Sequence, residues 1–152
     1  MSVVARLEGD ALDPEHELAI LLQQCNGDGA VVSFIGLARP GSKSGKAVYR
    51  LVLDHHHTLT LQSLEEIAVE AAARFDVSHI HVVHRCGDIA AGEPIVFAGA
   101  ASLYRRAAFE AADYLMDRLK TEAVLWKREV GDAGSTWIEP TETDYAARAR
   151  WG

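Results

Sequence analysis

A chain of 152 residues, 49% of them apolar, has the length of one domain and enough apolar content for a core, which argues against disorder. Its formal net charge of -7 excludes a broadly basic, nucleic-acid-binding surface, so any anionic ligand must be held by a local cluster. Cys25 and Cys86 are too few for a disulfide framework and fit a reducing compartment. No apolar run of the roughly 18 residues needed to span a membrane occurs, and the first residues lack a signal-peptide core. The expectation is a soluble, cytoplasmic single domain over residues 1–152, with no membrane or nucleic-acid partner.

Val3 to Leu7 alternates weakly and predicts an edge strand. Asp13-Pro14-Glu15 is a helix start, with an Asp cap and Pro at the first position; the helix stops near Asn26-Gly27. Gly29 to Leu37 is β-branched and aromatic between glycines and predicts a buried strand. Arg39 to Lys46 reads as a mobile loop without the spacing of a Walker phosphate loop. Arg39, where strand meets loop, is either a binding residue or an ordinary exposed arginine.

Ala47 to Leu53 alternates and predicts a second strand, paired antiparallel with the first across the loop. Asp54-His55-His56-His57 follows. Adjacent strand residues point to opposite faces, so at most two of these histidines share a side, and no CxxC or HExxH accompanies them. A surface turn and a metal site remain the two readings, and a turn fits better. Thr60 to Phe75 predicts a helix with Leu64, Ile67, Ala68, Ala71 and Ala72 as its stripe. Val77 to His84 predicts a strand ending in a turn at His84-Arg85-Cys86-Gly87-Asp88. His84 is either catalytic or bonded to nearby main chain.

Ile95 to Ala101 predicts a buried strand. The helix after it carries Ala108, Ala111, Ala112, Leu115, Met116 and Leu119 on one face, is capped by Ser102 and ends at Lys120. Arg105 and Arg106 in its first turn run against the helix dipole; beside free amides they form an anion site or a solvated pair. Ala123 to Val130 predicts a strand with Leu125, Lys127 and Glu129 on one side, in a hairpin with Thr136 to Glu139. Thr143 to Gly152 predicts a short last helix. Short strand-to-strand links mixed with helices predict an α+β fold, a mainly antiparallel mixed sheet with helices packed on it.

Four stretches in this order resemble the large, catalytic subunit of molybdopterin synthase: Gly29–Arg39, His84–Glu93, Ala107–Glu129 and the closing tryptophan. The resemblance runs from about Gly29 to Trp151. It implies a hammerhead-like β element in the fold. It also implies sulfur transfer from the C-terminal Gly-Gly thiocarboxylate of a small ubiquitin-like subunit to cyclic pyranopterin monophosphate, forming the molybdopterin dithiolene. The resemblance further implies a homodimer of this chain at the core of a heterotetramer. The family's functional lysines fall on Lys120 and Lys127, and its phosphate-contacting arginines on Arg39 and Arg105. Lys127-Arg128-Glu129 keeps a family stretch. Tyr104 stands where the family has His, and a phenol cannot carry its positive charge near neutral pH. The resemblance requires no metal or cofactor. The alternative is a non-catalytic subunit that docks a ubiquitin-like partner; a histidine metal-binding protein is the third reading.

Overall fold

The computed structural model describes residues 1–152 as two four-stranded sheets and four helices. The first sheet contains β1 (Ser2–Glu8), β4 (His79–Arg85), β6 (Pro94–Ser102) and β2 (Ala30–Leu37), in that spatial order. The β1–β4 pair is parallel and the other pairs are antiparallel. Both faces of β4 and β6 are buried, which their continuous apolar runs require.

Helices α2 (Leu59–Arg74) and α3 (Arg105–Glu122) cover one face. Leu64, Ile67, Leu115 and Leu119 pack there against Ile80, Val82, Ala98 and Ala100. Removing one such leucine costs about 2–5 kcal/mol, so this layer fixes where α3 ends. The other face carries α1 (Pro14–Gln24), whose Leu21 packs with Val83 and Phe97. Gly99 permits that approach: a Cβ there would lie 2.7 Å from a Leu21 methyl. Beside Leu21, buried Glu17 accepts two bonds from Arg6, at 2.8 and 2.9 Å, and lies 2.9 Å from His81 Nε2.

The second sheet is antiparallel throughout, in the order β5 (Gly87–Ala90), β3 (Val48–His55), β7 (Leu125–Gly131) and β8 (Gly134–Ile138). It is the separate β element of the fold. The β7–β8 turn closes on Gly134 at φ 86°, a conformation that favours glycine. Then α4 (Glu142–Ala149) starts in a capping box between Thr141 and Asp144. Beyond it, Trp151 packs edge-on against Phe75 and Tyr114, and its indole nitrogen donates to Asp117 at 2.7 Å.

Several expectations hold. β1 is an edge strand, Asp13 caps α1 by accepting from the His16 amide, and the last hairpin and last helix form. Others are corrected. β2 does not pair with β3. Val31 of β2 packs on the Leu21–Phe97 cluster and Leu53 of β3 packs with Ile89 and Ala38, so the two strands join different sheets. Only Gly41 and Ala47 pair across the loop. Nor is β2 a buried strand: it lies at a sheet edge with Phe34, Ile35 and Leu37 exposed. The turn after His84 continues as the short strand β5. Ser102 does not cap α3; it is buried in β6 with its hydroxyl donating to the Tyr104 carbonyl, and Tyr104 holds the cap position without a side-chain bond.

Candidate active site

The two sheets, α3 and α4 leave a cleft of about 520 Å³ between them. Its floor is apolar: Leu53 from β3, Val96 from β6, and Met116 and Leu119 from α3. Phe34 to Leu37 on β2 form one side. Their exposure, unexpected for a core strand, is explained by this position. Arg39 and Lys43 reach the cleft from the loop after β2, and Asp144 faces it from the first turn of α4.

Lys120 and Lys127 arrive from different elements. The apolar stripe of α3 fixes its rotation on the sheet and leaves Lys120, in the last turn, exposed at the cleft. Lys127 is half-buried on β7, registered against Leu53 on β3 and Ile138 on β8. Strand alternation puts Glu129 in the cleft with it. None of the chain's ion pairs involves Lys120 or Lys127. Burial, reinforced by the charge of Lys120 and partly offset by Asp144, lowers the Lys127 ammonium from 10.5 to about 8. The result is a lysine that holds a substantial population of free amine near neutral pH.

A second cavity, of about 380 Å³, lies beside the first and is walled by Trp126, Trp137, Pro140 and Tyr145. Lys120, Lys127, Ile138 and Glu139 line both cavities. The two lysines therefore stand where two separate chambers meet.

The structure thus brings Arg39, Lys120, Lys127 and Glu129 together. It does not bring the other expected residues to them within one chain. Tyr104 is 75% exposed and Arg105 is exposed beside it, at the opposite end of α3 from Lys120. Fifteen helical steps separate Arg105 from Lys120, about 22 Å along the axis. Arg128 sits on the other face of β7 from Lys127, with its guanidinium donating to Ser135 Oγ at 3.4 Å. Within one chain, Arg39, Lys120 and Lys127 line the same cleft and Arg105 lies outside it.

Cleft residues that the sequence reading passed over are Lys43, Glu139 and Asp144. Lys43 lay in a loop read only as mobile, and Asp144 in a helix read only as terminal. The histidine run has a local role. His56 Nδ1 accepts from the Thr58 and Leu59 amides at 3.1 and 3.0 Å, closing the start of α2. Cys86 is buried and Cys25 partly so, and burial pushes both thiols up, away from nucleophilic use.

A family model for the MoaE protein matches residues 7–122, more than half of the chain. The chain belongs to the MoaE family. A molybdopterin synthase catalytic subunit from Pseudomonas aeruginosa is 42% identical over 146 residues, which cover 96% of this chain and 97% of the relative. A molybdopterin biosynthesis MoaE protein from Burkholderia ambifaria superposes with a TM-score of 0.82 at 34% identity, over 100% of this chain and 99% of that one. A complex of subunits 1 and 2 of molybdopterin-converting factor from Helicobacter pylori has a chain with TM-score 0.72 at 19% identity, over 88% of each, a likeness of fold. The resemblance drawn from the four stretches is borne out. This MoaE-family chain is an enzyme of molybdenum cofactor biosynthesis, with the α+β fold of its relatives.

Proposed function

We propose that this chain transfers sulfur from the C-terminal thiocarboxylate of a small ubiquitin-like subunit to cyclic pyranopterin monophosphate. The observation that carries the reading is the placement of Lys120 and Lys127 on the shared wall of two cavities. Two reactants need two chambers and a common boundary. The larger cleft, with Arg39 and Lys43, suits the phosphate-bearing pterin, because a guanidinium matches a phosphate with paired donors. The chamber walled by Trp126, Trp137 and Pro140 suits an extended peptide tail, whose backbone stacks on flat apolar side chains. At the boundary, the Lys127 free amine serves as base or nucleophile, and Lys120 steadies negative charge on the transferred group.

The small partner is supported by the family and by the Helicobacter pylori complex of subunits 1 and 2, one chain of which shares this fold. A homodimer of this chain accounts for Arg105 and Tyr104: on the far end of α3, they reach a cleft only if it is the cleft of a second copy. No helix is long and apolar enough to cross a membrane. We assign the chain to a reducing compartment, the cytoplasm, because its two cysteines are unpaired.

The test is reconstitution. Thiocarboxylated partner and pterin precursor are incubated with the chain, and dithiolene product is measured. Wild-type protein should form product, and Lys120→Ala and Lys127→Ala should lose about a hundredfold or more in rate. Full transfer by both Ala variants sinks the reading. Partner binding by the wild type without any product also overturns it.

A further inference from the structure

β4 ends directly beneath the larger cleft. Its alternation puts Ile80, Val82 and His84 on the face covered by α2 and α3, and Val96 on β6 is the cross-strand partner of His84. His84 is only 4% exposed, yet it lines the cleft together with Lys127, Leu119 and Met116. Its Nδ1 lies 2.9 Å from the Arg85 carbonyl oxygen. A carbonyl only accepts, so Nδ1 carries the proton of the neutral ring and Nε2 is bare. Burial, with a further contribution from the Lys127 charge, holds the ring neutral down to about pH 4 despite the Arg85 bond. Nε2 has no partner in the chain, and it is not among the buried unpaired atoms, which belong to Arg85 and Arg118. It is the part of the ring that opens onto the cleft.

The surroundings leave this nitrogen a particular place. The segments of β2, β3 and β6 that line the cleft contribute apolar side chains. The charged groups come from elsewhere: Arg39 and Lys43 from the loop, Lys120 from α3, Lys127 and Glu129 from β7, Glu139 after β8, and Asp144 from α4. At the floor, the bare imidazole nitrogen is a neutral acceptor in the cleft that the half-buried Lys127 also lines.

We infer that His84 is a positioning residue for Lys127: its Nε2, unpaired in this structure, is the acceptor that the Lys127 ammonium takes when it turns to the cleft floor, and that bond fixes where the amine points. This rests on the proposed sulfur transfer only in giving Lys127 a task. A neutral acceptor orients the ammonium without adding charge. A carboxylate in its place would hold the proton more firmly, and an apolar side chain would leave the amine unaligned.

Two substitutions separate this role from packing. His84→Asn keeps a donor near Nδ1 for the Arg85 carbonyl and removes the acceptor at Nε2. His84→Gln extends an amide to the Nε2 position. Trace acetylation of the full chain with acetic anhydride across a pH series, followed by peptide mass mapping, reads the titration midpoint of Lys127 without any substrate. The midpoint should fall by about half a unit or more in His84→Asn, because the charged form loses a hydrogen bond, and should return in His84→Gln. The rising limb of the kcat–pH profile for sulfur transfer should shift with it while KM stays constant. An unchanged midpoint in folded His84→Asn, or equal shifts in both variants, overturns the assignment. If His84→Asn does not fold, ¹⁵N resonances of wild-type His84 decide: Nε2 must respond as Lys127 titrates, and a silent Nε2 overturns it. Absence of sulfur transfer by the wild type would remove the proposed function, while the acetylation titration would still settle His84.

Discussion

Replacing Lys127 should raise stability and abolish activity together. The side chain is half-buried between two sheets, and its ammonium is lowered from 10.5 to about 8 by burial, then by Lys120. At pH 7 about one amine in ten is then free, some 300-fold more than for an unperturbed lysine. That free amine has a cost in the folded state. The unfolded chain binds the proton up to its ordinary pKa, and the folded chain releases it near 8. Stability therefore rises with pH between about 8 and 10.5, and below 8 the folded state carries the full penalty. The shift corresponds to about 3 kcal/mol, and partial exposure reduces it to about 1–2 kcal/mol. Lys127→Met, similar in length and uncharged, should gain about that much in urea unfolding at pH 7 and lose the gain above about pH 10. Its sulfur-transfer rate should fall by about a hundredfold or more. Lys127→Arg keeps a charge that cannot leave in the working range, so it should be nearly as inactive. Wild-type kcat should climb with pH through a midpoint near 8 and level off about a unit above it. A Lys127→Arg variant that retains most of the rate, or a Lys127→Met variant less stable than wild type at pH 7, would refute the reasoning.

Three further outcomes are expected. Arg39 is exposed at the cleft rim, so Arg39→Ala should raise KM for the pterin by about tenfold or more with little change in kcat or thermal stability, and Arg39→Lys should recover only part. Trp151→Ala should cost about 2–3 kcal/mol in chemical unfolding, because the indole closes the Phe75–Tyr114 end of the core and bonds Asp117. Glu17 is held below its ordinary value of 4.5, first by the Arg6 bonds and also by His81. It therefore contributes stability above about 4.5 that is lost as pH falls through its lowered folded pKa. Glu17→Gln should flatten that acid limb in a pH series of urea melts and lose about 1–3 kcal/mol at neutral pH.

Local chemistry was well signalled in the residues, and partner choice among strands was not. The Asp13 cap, the α3 stripe and the alternation of β7 depend on spacings within one element, and each formed as read. The pairing of β2 depended on which cluster Val31 joined, a contact made by residues far along the chain. Sequence proximity across the Arg39–Lys46 loop favoured a β2–β3 hairpin, and long-range packing overrode it. Of the site, Lys120, Lys127, Arg39 and Glu129 came through a resemblance to known stretches. No pattern within one element would show that the end of α3 and the middle of β7 meet. Asp144 and Lys43 were invisible for the same reason, since each gains a role only where the two sheets leave a gap. His84 was noticed for its residue type, and its main-chain bond was the expected bland reading. The burial beneath the cleft is what adds to it.

The remaining question about the arginines is decided by which chain they serve. Arg105 stands about 22 Å along α3 from Lys120 and is exposed, so it cannot reach the cleft of its own chain without remodelling the core. A symmetric dimer repeats every contact, so if Arg105 of one copy enters the cleft of the other, both sites are shared. Arg105→Ala and Lys127→Ala dimers should each be nearly inactive. Mixed and allowed to exchange, half of the dimers become hybrids. In a hybrid, one cleft has lost both residues and the other keeps Lys127 of one copy and Arg105 of its partner. That intact cleft is one of two in half of the dimers, so about a quarter of wild-type activity should return if Arg105 acts across the boundary. If Arg105 acts only within its own chain, no hybrid cleft is intact and mixing restores nothing. If it has no part in the reaction, Arg105→Ala alone is already active. The three outcomes are separated by one measurement of rate against mixing ratio, with light scattering to establish that the variants form dimers.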